Sequence, residues 1–167
     1  MTHVIHPFEP FFDKNSRVLI LGSFPSVKSR QEGFYYGHKN NRFWKLLSSL
    51  AEEEEPKSTE EKKAFLQHNG IALYDVIEEC DIRGSSDASV RNAKVSDLGK
   101  ILSSCSIEKI ICNGRTAGDL YERYQREKTG REAVVLPSTS SANASFSLEK
   151  LKKIWGEEMS LFLGKRE

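Results

Sequence analysis

The residues best suited to chemistry lie between positions 33 and 45, in the sequence GFYYGHKNNRFWK. Aromatic rings, an imidazole, two carboxamides and a guanidinium crowd this segment more densely than packing alone requires. A ring such as that of Tyr36 can stack on a flat ligand, and a carboxamide such as that of Asn41 can hold a water molecule or stabilise developing charge. His38 can donate to a phosphate or to a leaving group, although a structural role is equally open. Asn40 competes with Asn41, and either one can simply cap the helix that follows.

Two further polar segments follow predicted strands. Gly22, Ser23 and Phe24 form a tight turn after the apolar run at 17–21, where free backbone N–H groups can hold an anion or a carbonyl oxygen. A serine-rich loop follows Pro137, and its hydroxyls and small residues suit contacts with backbone phosphates, which position a nucleic acid without reading its sequence. The candidate contacts in this loop are Ser138, Thr139, Ser140, Ser141 and Asn143. An ordinary turn and an ordinary serine-rich loop are the alternatives.

Two charged residues lie at predicted element ends. Asp75 comes near the end of a strand predicted over 71–77, and its carboxylate only accepts hydrogen bonds, so it suits a ring N–H and repels a carbonyl edge. A helix cap or a loop anchor is the alternative for this residue. Arg115 lies near a predicted helix start, which is electrostatically unfavourable unless the side chain faces an anion. We therefore treat it as a possible phosphate contact, with a plain turn at 113–115 as the alternative.

Composition narrows the function classes. The 167 residues suit a single domain, 1–167, and the net charge of +1 is too small for a protein that coats DNA, so a nucleic-acid footprint must be local. The chain has no G-x-G-x-x-G or G-K-[ST] motif, and no cysteine or histidine spacing typical of a metal site, so we expect neither a metal nor a cofactor. Its apolar runs are short and a leader pattern is absent, so we expect a cytoplasmic protein with no membrane segment. Seven basic residues and one acidic residue lie between positions 14 and 45: Lys14, Arg17, Lys28, Arg30, Lys39, Arg42, Lys45 and Glu32.

The pattern of elements predicts how these residues are held. Short β-branched runs alternate with amphipathic stretches, which indicates strands at 17–21, 71–77, 107–112 and 133–136. Helices are predicted after Asn41, after the Ser58 capping box, at 95–103, at about 115–127, and near the C-terminus, with a polar loop at 81–92. The alternation implies a three-layer α/β/α sandwich with a mainly parallel four-stranded sheet. Ligands bind beyond the carboxyl ends of such strands, where the segments at 22–26, 75–87, 113–115 and 137–143 lie.

The segments LGSFPS, GFYYGHKNNRFWK and VLPSTSSAN, in this order, resemble the uracil-DNA glycosylase superfamily, most closely its hypoxanthine-DNA glycosylase branch. The resemblance implies a monofunctional DNA glycosylase that flips a deaminated base out of duplex DNA and hydrolyses its N-glycosidic bond. It implies Asn41 as the catalytic residue and Tyr36 as the stacking platform. His38, from its chemistry alone, is the second catalytic candidate. The resemblance also implies base contacts at Gly22, Ser23, Phe24 and Asp75, whose strand-end position is an asparagine in uracil-excising relatives.

Phe24 is where the wider superfamily has an Asp or Asn that orients water, a departure shared by the hypoxanthine-excising branch. The implied partner is double-stranded DNA with a damaged base, bound by a monomer. Two alternatives remain at this stage. The substrate can be uracil or a mismatched base, and, because Phe24 cannot activate water, the chain can be a DNA-damage-binding protein without catalysis.

Overall fold

The computed structural model describes residues 1–163, in which seven strands form two sheets. Four parallel strands make the larger sheet: β2 (Val18–Gly22), β3 (Ile71–Asp75), β6 (Lys109–Asn113) and β7 (Val134–Leu136). Their spatial order is β3, β2, β6, β7. Every residue of β2 and β3 is buried, as expected of parallel strands covered on both faces.

Helices flank this sheet and complete the predicted three-layer α/β/α arrangement. They are α1 (Val27–Glu32), α2 (Phe43–Ala51), α3 (Thr59–Asn69), α4 (Gly99–Ser104), α5 (Arg115–Tyr124), α6 (Arg126–Thr129) and α7 (Leu148–Met159). Helix α3 begins with the predicted capping box, in which Ser58 and Glu61 each bind the other's backbone N–H. Helix α7 buries an apolar stripe of Leu151, Trp155 and Met159 and packs against α2. The helix that carries the GFYYGHKNNRFWK segment is therefore anchored to the core.

A second sheet is a feature that the sequence pattern does not predict. It is antiparallel, in the order β1, β4, β5, and consists of β1 (Thr2–Ile5), β4 (Ile77–Ile82) and β5 (Arg91–Val95). The predicted strand at 71–77 ends at Asp75, and the predicted loop at 81–92 contains parts of β4 and β5. Strand β1 is largely exposed and β5 reads RNAKV, so neither has the apolar alternation that identifies a strand.

Other element boundaries shift for local reasons. The helix predicted at 95–103 begins at Gly99, because Val95 pairs with Ile77 in the second sheet. The helix predicted at 115–127 breaks at Gln125, whose buried side chain donates to the carbonyl of Ser96 at 2.6 Å. Cys80 and Cys112 are buried free thiols, and Cys105 is a half-buried one.

The register of the parallel sheet brings the polar segments together. Gly22 at the end of β2 pairs with Asp75 at the end of β3, and Asn113 at the end of β6 pairs with Leu136 of β7. The turns that follow these strands therefore leave the sheet at the same edge. The serine-rich loop continues from β7 toward the start of α2, where the N–H of Arg42 donates to the carbonyl of Thr139 at 3.0 Å.

Candidate active site

A cavity of about 340 Å³ lies at the carboxyl edge of the parallel sheet. Its lining combines the turn after β2, the segment before α2, the end of β3 and the serine-rich loop. Of the residues predicted from the sequence, it includes Gly22, Ser23, Phe24, Tyr36, His38, Asn41, Asp75, Ser138, Thr139, Ser140 and Ser141. Asn40, Asn143 and Arg115 do not line it. The volume lies within the range of small-ligand sites.

The floor of the cavity carries a buried carboxylate with an unexpected partner. Asp75 Oδ2 lies 2.7 Å from His6 Nε2, and the two side chains are 5% and 1% exposed. The His6 ring is enclosed by aromatic rings, including Phe8, Phe24 and Tyr74, and its Nδ1 has no hydrogen-bond partner among residues 1–163. Sequence reasoning missed His6, because it follows a short exposed strand and lies 69 positions from Asp75. With Oδ2 held by His6, Asp75 Oδ1 is the oxygen left for a ligand.

Position 22 must be glycine because atoms of other residues approach it closely at the floor of the cavity. A Cβ atom added at this position would lie 2.5 Å from Asp75 Oδ1 and 3.3 Å from the Tyr36 hydroxyl. Any side chain would therefore collide with the carboxylate. Because both polar atoms lie over the Cα of Gly22, an acceptor and a donor stand side by side at the base of the cavity.

Tyr36 combines a covered ring face with an unsatisfied hydroxyl. Its backbone is left-handed, with φ of 53°, and its ring stacks on Phe43 with centroids 4.0 Å apart and planes 18° apart. Within the described part of the chain the buried hydroxyl makes no hydrogen bond of normal geometry, although the Asn113 side chain lies near it. Burial, and to a lesser degree the nearby Asp75 charge, raises the pKa of the Tyr36 hydroxyl, while the Asn113 side chain slightly favours the ionised form and lowers the pKa. The group therefore stays protonated at neutral pH and is available as a donor.

Asn41 belongs to a hydrogen-bonded chain that reaches back into the sheet. Its Oδ1 accepts from the N–H of Phe43 at 2.9 Å and from Thr139 Oγ1 at 2.8 Å. Thr139 Oγ1 accepts in turn from Asn113 Nδ2 at 3.0 Å, and Asn113 Oδ1 accepts from the Thr139 N–H at 3.0 Å. Capping and cavity lining thus coincide at Asn41, because its oxygen binds a helix N–H while the residue lines the cavity. Asn40 is exposed and lies outside the lining.

Three other lining residues have definite surroundings. His38 is exposed, and its Nδ1 accepts from the backbone N–H of Asn40 at 3.1 Å, which leaves Nε2 to donate outward. Ser23 donates to Asp87 Oδ1 at 2.7 Å and thereby ties the turn after β2 to the 84–87 loop. Phe24 is buried at the cavity wall, so no polar group stands at that position.

The serine-rich loop is shaped by Arg42. The guanidinium of Arg42 donates to backbone carbonyls spread over the loop, those of Thr139 at 3.3 Å, Ser140 at 2.8 Å, Asn143 at 3.2 Å and also Phe146. The guanidinium of the half-buried Arg42 is therefore bound to protein carbonyls. The Asn143 side chain donates to the Ser138 carbonyl at 3.1 Å and closes the loop on itself.

The residues predicted to bind phosphates divide into two groups. Thr139 has no exposed surface and uses its hydroxyl twice within the protein, which differs from the expected phosphate contact. Ser141 is exposed at the rim, while the hydroxyls of Ser138 and Ser140 accept from backbone N–H groups two residues further on. Arg115 is exposed at the first position of α5, away from the cavity lining. Phosphate contacts at Ser138, Ser140, Ser141, Asn143 and Arg115 stay predictions.

Residues 1–163 include no group of three or more histidine, cysteine or acidic side chains placed to hold a metal ion. Within the same range, no helix is long and apolar enough to cross a membrane. What the cavity does offer is a flat aromatic wall, a buried carboxylate, a protonated hydroxyl and an ordered carboxamide. This arrangement, at the carboxyl edge of a parallel sheet, defines an α/β protein whose cavity is suited in chemistry to a flat heterocyclic ring.

Comparison with known proteins places this architecture in a family. The model of the uracil DNA glycosylase superfamily matches residues 9–157, and the chain belongs to this superfamily. A protein of Methanosarcina acetivorans named hypoxanthine DNA glycosylase is 37% identical over 142 residues, which cover 84% of this chain and 89% of the relative. A protein of the same name from Methanosarcina barkeri is 32% identical over 152 residues, covering 90% and 94%.

The fold is also similar to a solved structure. The solution NMR structure of a protein from Methanosarcina acetivorans, described as a candidate uracil DNA glycosylase, has a TM-score of 0.80 and 33% sequence identity. The match covers 95% of this chain and 99% of that one. The family expected from the three sequence segments is thereby confirmed.

Proposed function

We propose that this protein is a monofunctional DNA glycosylase that releases hypoxanthine from double-stranded DNA, as the first step of base excision repair. Two relatives that align with most of the chain carry the name hypoxanthine DNA glycosylase. The observation that carries the proposal is the buried Asp75 at the closed end of a cavity walled by Tyr36. The residues of the cavity extend from position 22 to position 142, so we propose that one chain acts as one domain and as a monomer. A cytoplasmic location stays a prediction.

We propose that the protein selects the damaged base by which groups donate and which accept hydrogen bonds at the floor of the cavity. Hypoxanthine presents a ring N–H beside a carbonyl, and these groups match an accepting Asp75 Oδ1 beside a donating Tyr36 hydroxyl. Adenine presents a bare ring nitrogen beside an amino group, so both contacts would be reversed. A reversed or unpaired contact in a buried site costs about 1–3 kcal/mol. The parent base is therefore rejected by the same two groups that accept its deaminated product.

The proposed reaction is hydrolysis at the anomeric carbon of the flipped nucleotide. Water adds to C1′, the bond from C1′ to the base nitrogen breaks, and the base leaves with the bonding electrons and takes up a proton. Stacking of the flipped base on an aromatic ring of the cavity wall, such as that of Phe24, would return about 1–3 kcal/mol of the few kcal/mol spent on extrusion. Tyr36, predicted from the sequence as the stacking platform, would instead use its hydroxyl at the edge of the base. His38 Nε2 would donate to a phosphate or to the departing base. The product is an abasic site.

The test is base release from duplexes that each contain one damaged base. Duplexes with hypoxanthine, xanthine or uracil are incubated with the protein in the presence of EDTA and are then cleaved at abasic sites with alkali. Release of free hypoxanthine, with no trapping by borohydride, is the expected result. Uracil release without hypoxanthine release would favour a uracil-directed enzyme. Lesion binding with no release of any base would favour the non-catalytic alternative, and release of intact nucleotides would contradict the reaction itself.

A further inference from the structure

Of the two polar groups of the Asn41 carboxamide, only the NH₂ group is left to bind a ligand. An amide oxygen accepts at two lone pairs, and both are occupied here, by the Phe43 N–H at 2.9 Å and by the Thr139 hydroxyl at 2.8 Å. The Phe43 N–H can only donate, so it fixes which end of the amide is the oxygen. The Nδ2 group has no protein partner among residues 1–163, and Asn41 is a half-buried residue of the cavity lining.

The Thr139 hydroxyl is itself held in one orientation. It receives a hydrogen bond from Asn113 Nδ2 at 3.0 Å, so its own hydrogen is directed at Asn41 Oδ1. Asn113 is fixed in turn because its Oδ1 accepts from the Thr139 backbone at 3.0 Å. Thr139 has no exposed surface, so water does not compete for these bonds. Asn113, Thr139 and Asn41 thus form a directed chain, which we call the amide relay, from the end of β6 to the cavity.

We propose that Asn113 and Thr139 are positioning residues that lock the Asn41 carboxamide with its NH₂ group toward the substrate, so that Asn41 acts as a hydrogen-bond donor to the departing base. This inference rests on the proposed glycosylase function. As the glycosidic bond breaks, its electrons move onto the base, and a preorganised donor stabilises that developing charge more than it stabilises the intact nucleotide. In this arrangement the Asn41 oxygen is not available to accept a proton from the attacking water.

Replacing Asn41 with aspartate separates a donor from an acceptor. Asn41→Asp keeps the shape and both accepted hydrogen bonds, and aspartate is an equally good residue at a helix start, so folding should be preserved. The substitution removes the side-chain NH₂ group, which is the proposed donor, and adds a negative charge beside the leaving group. We expect single-turnover release of hypoxanthine to fall by about 10²–10³-fold, the usual loss for one preorganised donor, while lesion binding persists. A rate equal to or above that of the unmodified protein would show that Asn41 activates water as an acceptor, and would overturn the proposal.

The relay is tested by a matched pair at Thr139. Thr139→Val keeps the shape and removes the hydroxyl, whereas Thr139→Ser keeps the hydroxyl. We expect the valine variant to lose roughly 10–100-fold in the single-turnover rate with little change in lesion binding, because the amide is misoriented, and the serine variant to restore most of the rate. Asn113→Asp, which keeps the acceptor for the Thr139 N–H but lacks the donor, should behave like the valine variant. Equal rates in the valine variant, the serine variant and the unmodified protein would overturn the relay.

A measurement without substrate separates this inference from the proposed function. In ¹⁵N-labelled protein, the side-chain amide signals of Asn41, assigned by their loss in Asn41→Asp, should shift in Thr139→Val and be retained in Thr139→Ser. If the unmodified protein releases no base yet these shifts occur, the proposed function fails while the relay stands. If base is released normally and the Asn41 signals are unchanged in Thr139→Val, the relay is absent.

Discussion

At the scale of single residues, Asp75 shows how a partner determines what a carboxylate can read. Its Oδ2 is engaged by His6 at 2.7 Å, so only Oδ1 faces the ligand, above a Gly22 that has no room for a Cβ atom. The His6 ring cannot rotate away, because Phe8 and Tyr74 lie within 5 Å of it, with centroid distances of 4.6 and 4.7 Å. The accepting oxygen is therefore held rigidly by packing, and base selectivity should depend on it.

Asp75→Asn should change base preference more than it changes stability. The asparagine can keep its oxygen on His6 and would then present an NH₂ group to the cavity, which opposes the ring N–H of hypoxanthine and suits the bare ring nitrogen of adenine. We expect the ratio of hypoxanthine to adenine release, measured as single-turnover rates on matched duplexes, to fall by roughly tenfold or more. Asp87→Asn is the control, because Asp87 also lines the cavity but is bound to Ser23. An unchanged ratio in Asp75→Asn would remove Asp75 from base reading.

At the scale of elements, the serine-rich loop depends on one side chain of another element. Arg42 immediately precedes α2, and its guanidinium spans carbonyls from Thr139 to Phe146, so the position of the loop is coupled to that of the helix. A planar guanidinium with five N–H groups can satisfy such a set, whereas a lysine ammonium is a single point of donation. The loop is therefore preorganised by geometry, not by charge.

Arg42→Lys separates these two contributions. It keeps the positive charge and loses most of the carbonyl contacts, each worth about 1.5–3 kcal/mol as a hydrogen bond to a charged group. We expect the free energy of unfolding to fall by at least the value of one such contact, about 1.5–3 kcal/mol. We also expect faster amide hydrogen exchange in residues 138–146 and weaker DNA binding with an unchanged salt dependence. Arg126→Lys, in an exposed pair with Glu122, is the control and should change little. Normal exchange in the loop of Arg42→Lys would show that other contacts hold it.

The parallel sheet and most of the cavity follow from local patterns. Apolar runs closed by Gly22 or Pro137 mark strand ends, and parallel strands place those ends at one edge, so Gly22, Asp75 and the serine-rich loop could be brought near each other by reasoning alone. Sequence patterns could not predict the second sheet, the position of His6 or the inward direction of Arg42. These features depend on pairings between distant segments, such as β1 with β4, whose residues carry neither strong alternation nor a motif.

At the scale of the whole molecule, the basic stretch from Lys14 to Lys45 has fewer cationic side chains free to reach a phosphate than its composition suggests. Arg17 pairs with Glu108 at 2.6 Å, Lys28 pairs with Glu32 at 3.5 Å, and Arg30 and Arg42 donate to backbone carbonyls. Among the described residues, the basic side chains of this stretch that have no protein partner are Lys14, Lys39 and Lys45. With a net charge of only +1, the protein should hold DNA through few phosphate contacts and should find a lesion mainly through its cavity.

Salt dependence measures this number of contacts. Each neutralised phosphate contributes about −0.9 to the slope of log affinity against log salt concentration. The measured slope should therefore correspond to fewer phosphate contacts than the seven basic residues of the stretch. Lys39 is exposed and adjoins His38, which lines the cavity, and Lys39→Ala should lower the magnitude of the slope by about 0.9, equally on lesion and undamaged duplexes. Arg17→Ala is the matched control, because Arg17 precedes β2 at the end of the strand opposite Gly22 and is already paired; melting of that variant checks its fold. If Arg17→Ala lowers the slope and Lys39→Ala does not, the DNA runs over the other end of the sheet and the serine-rich loop is not its contact.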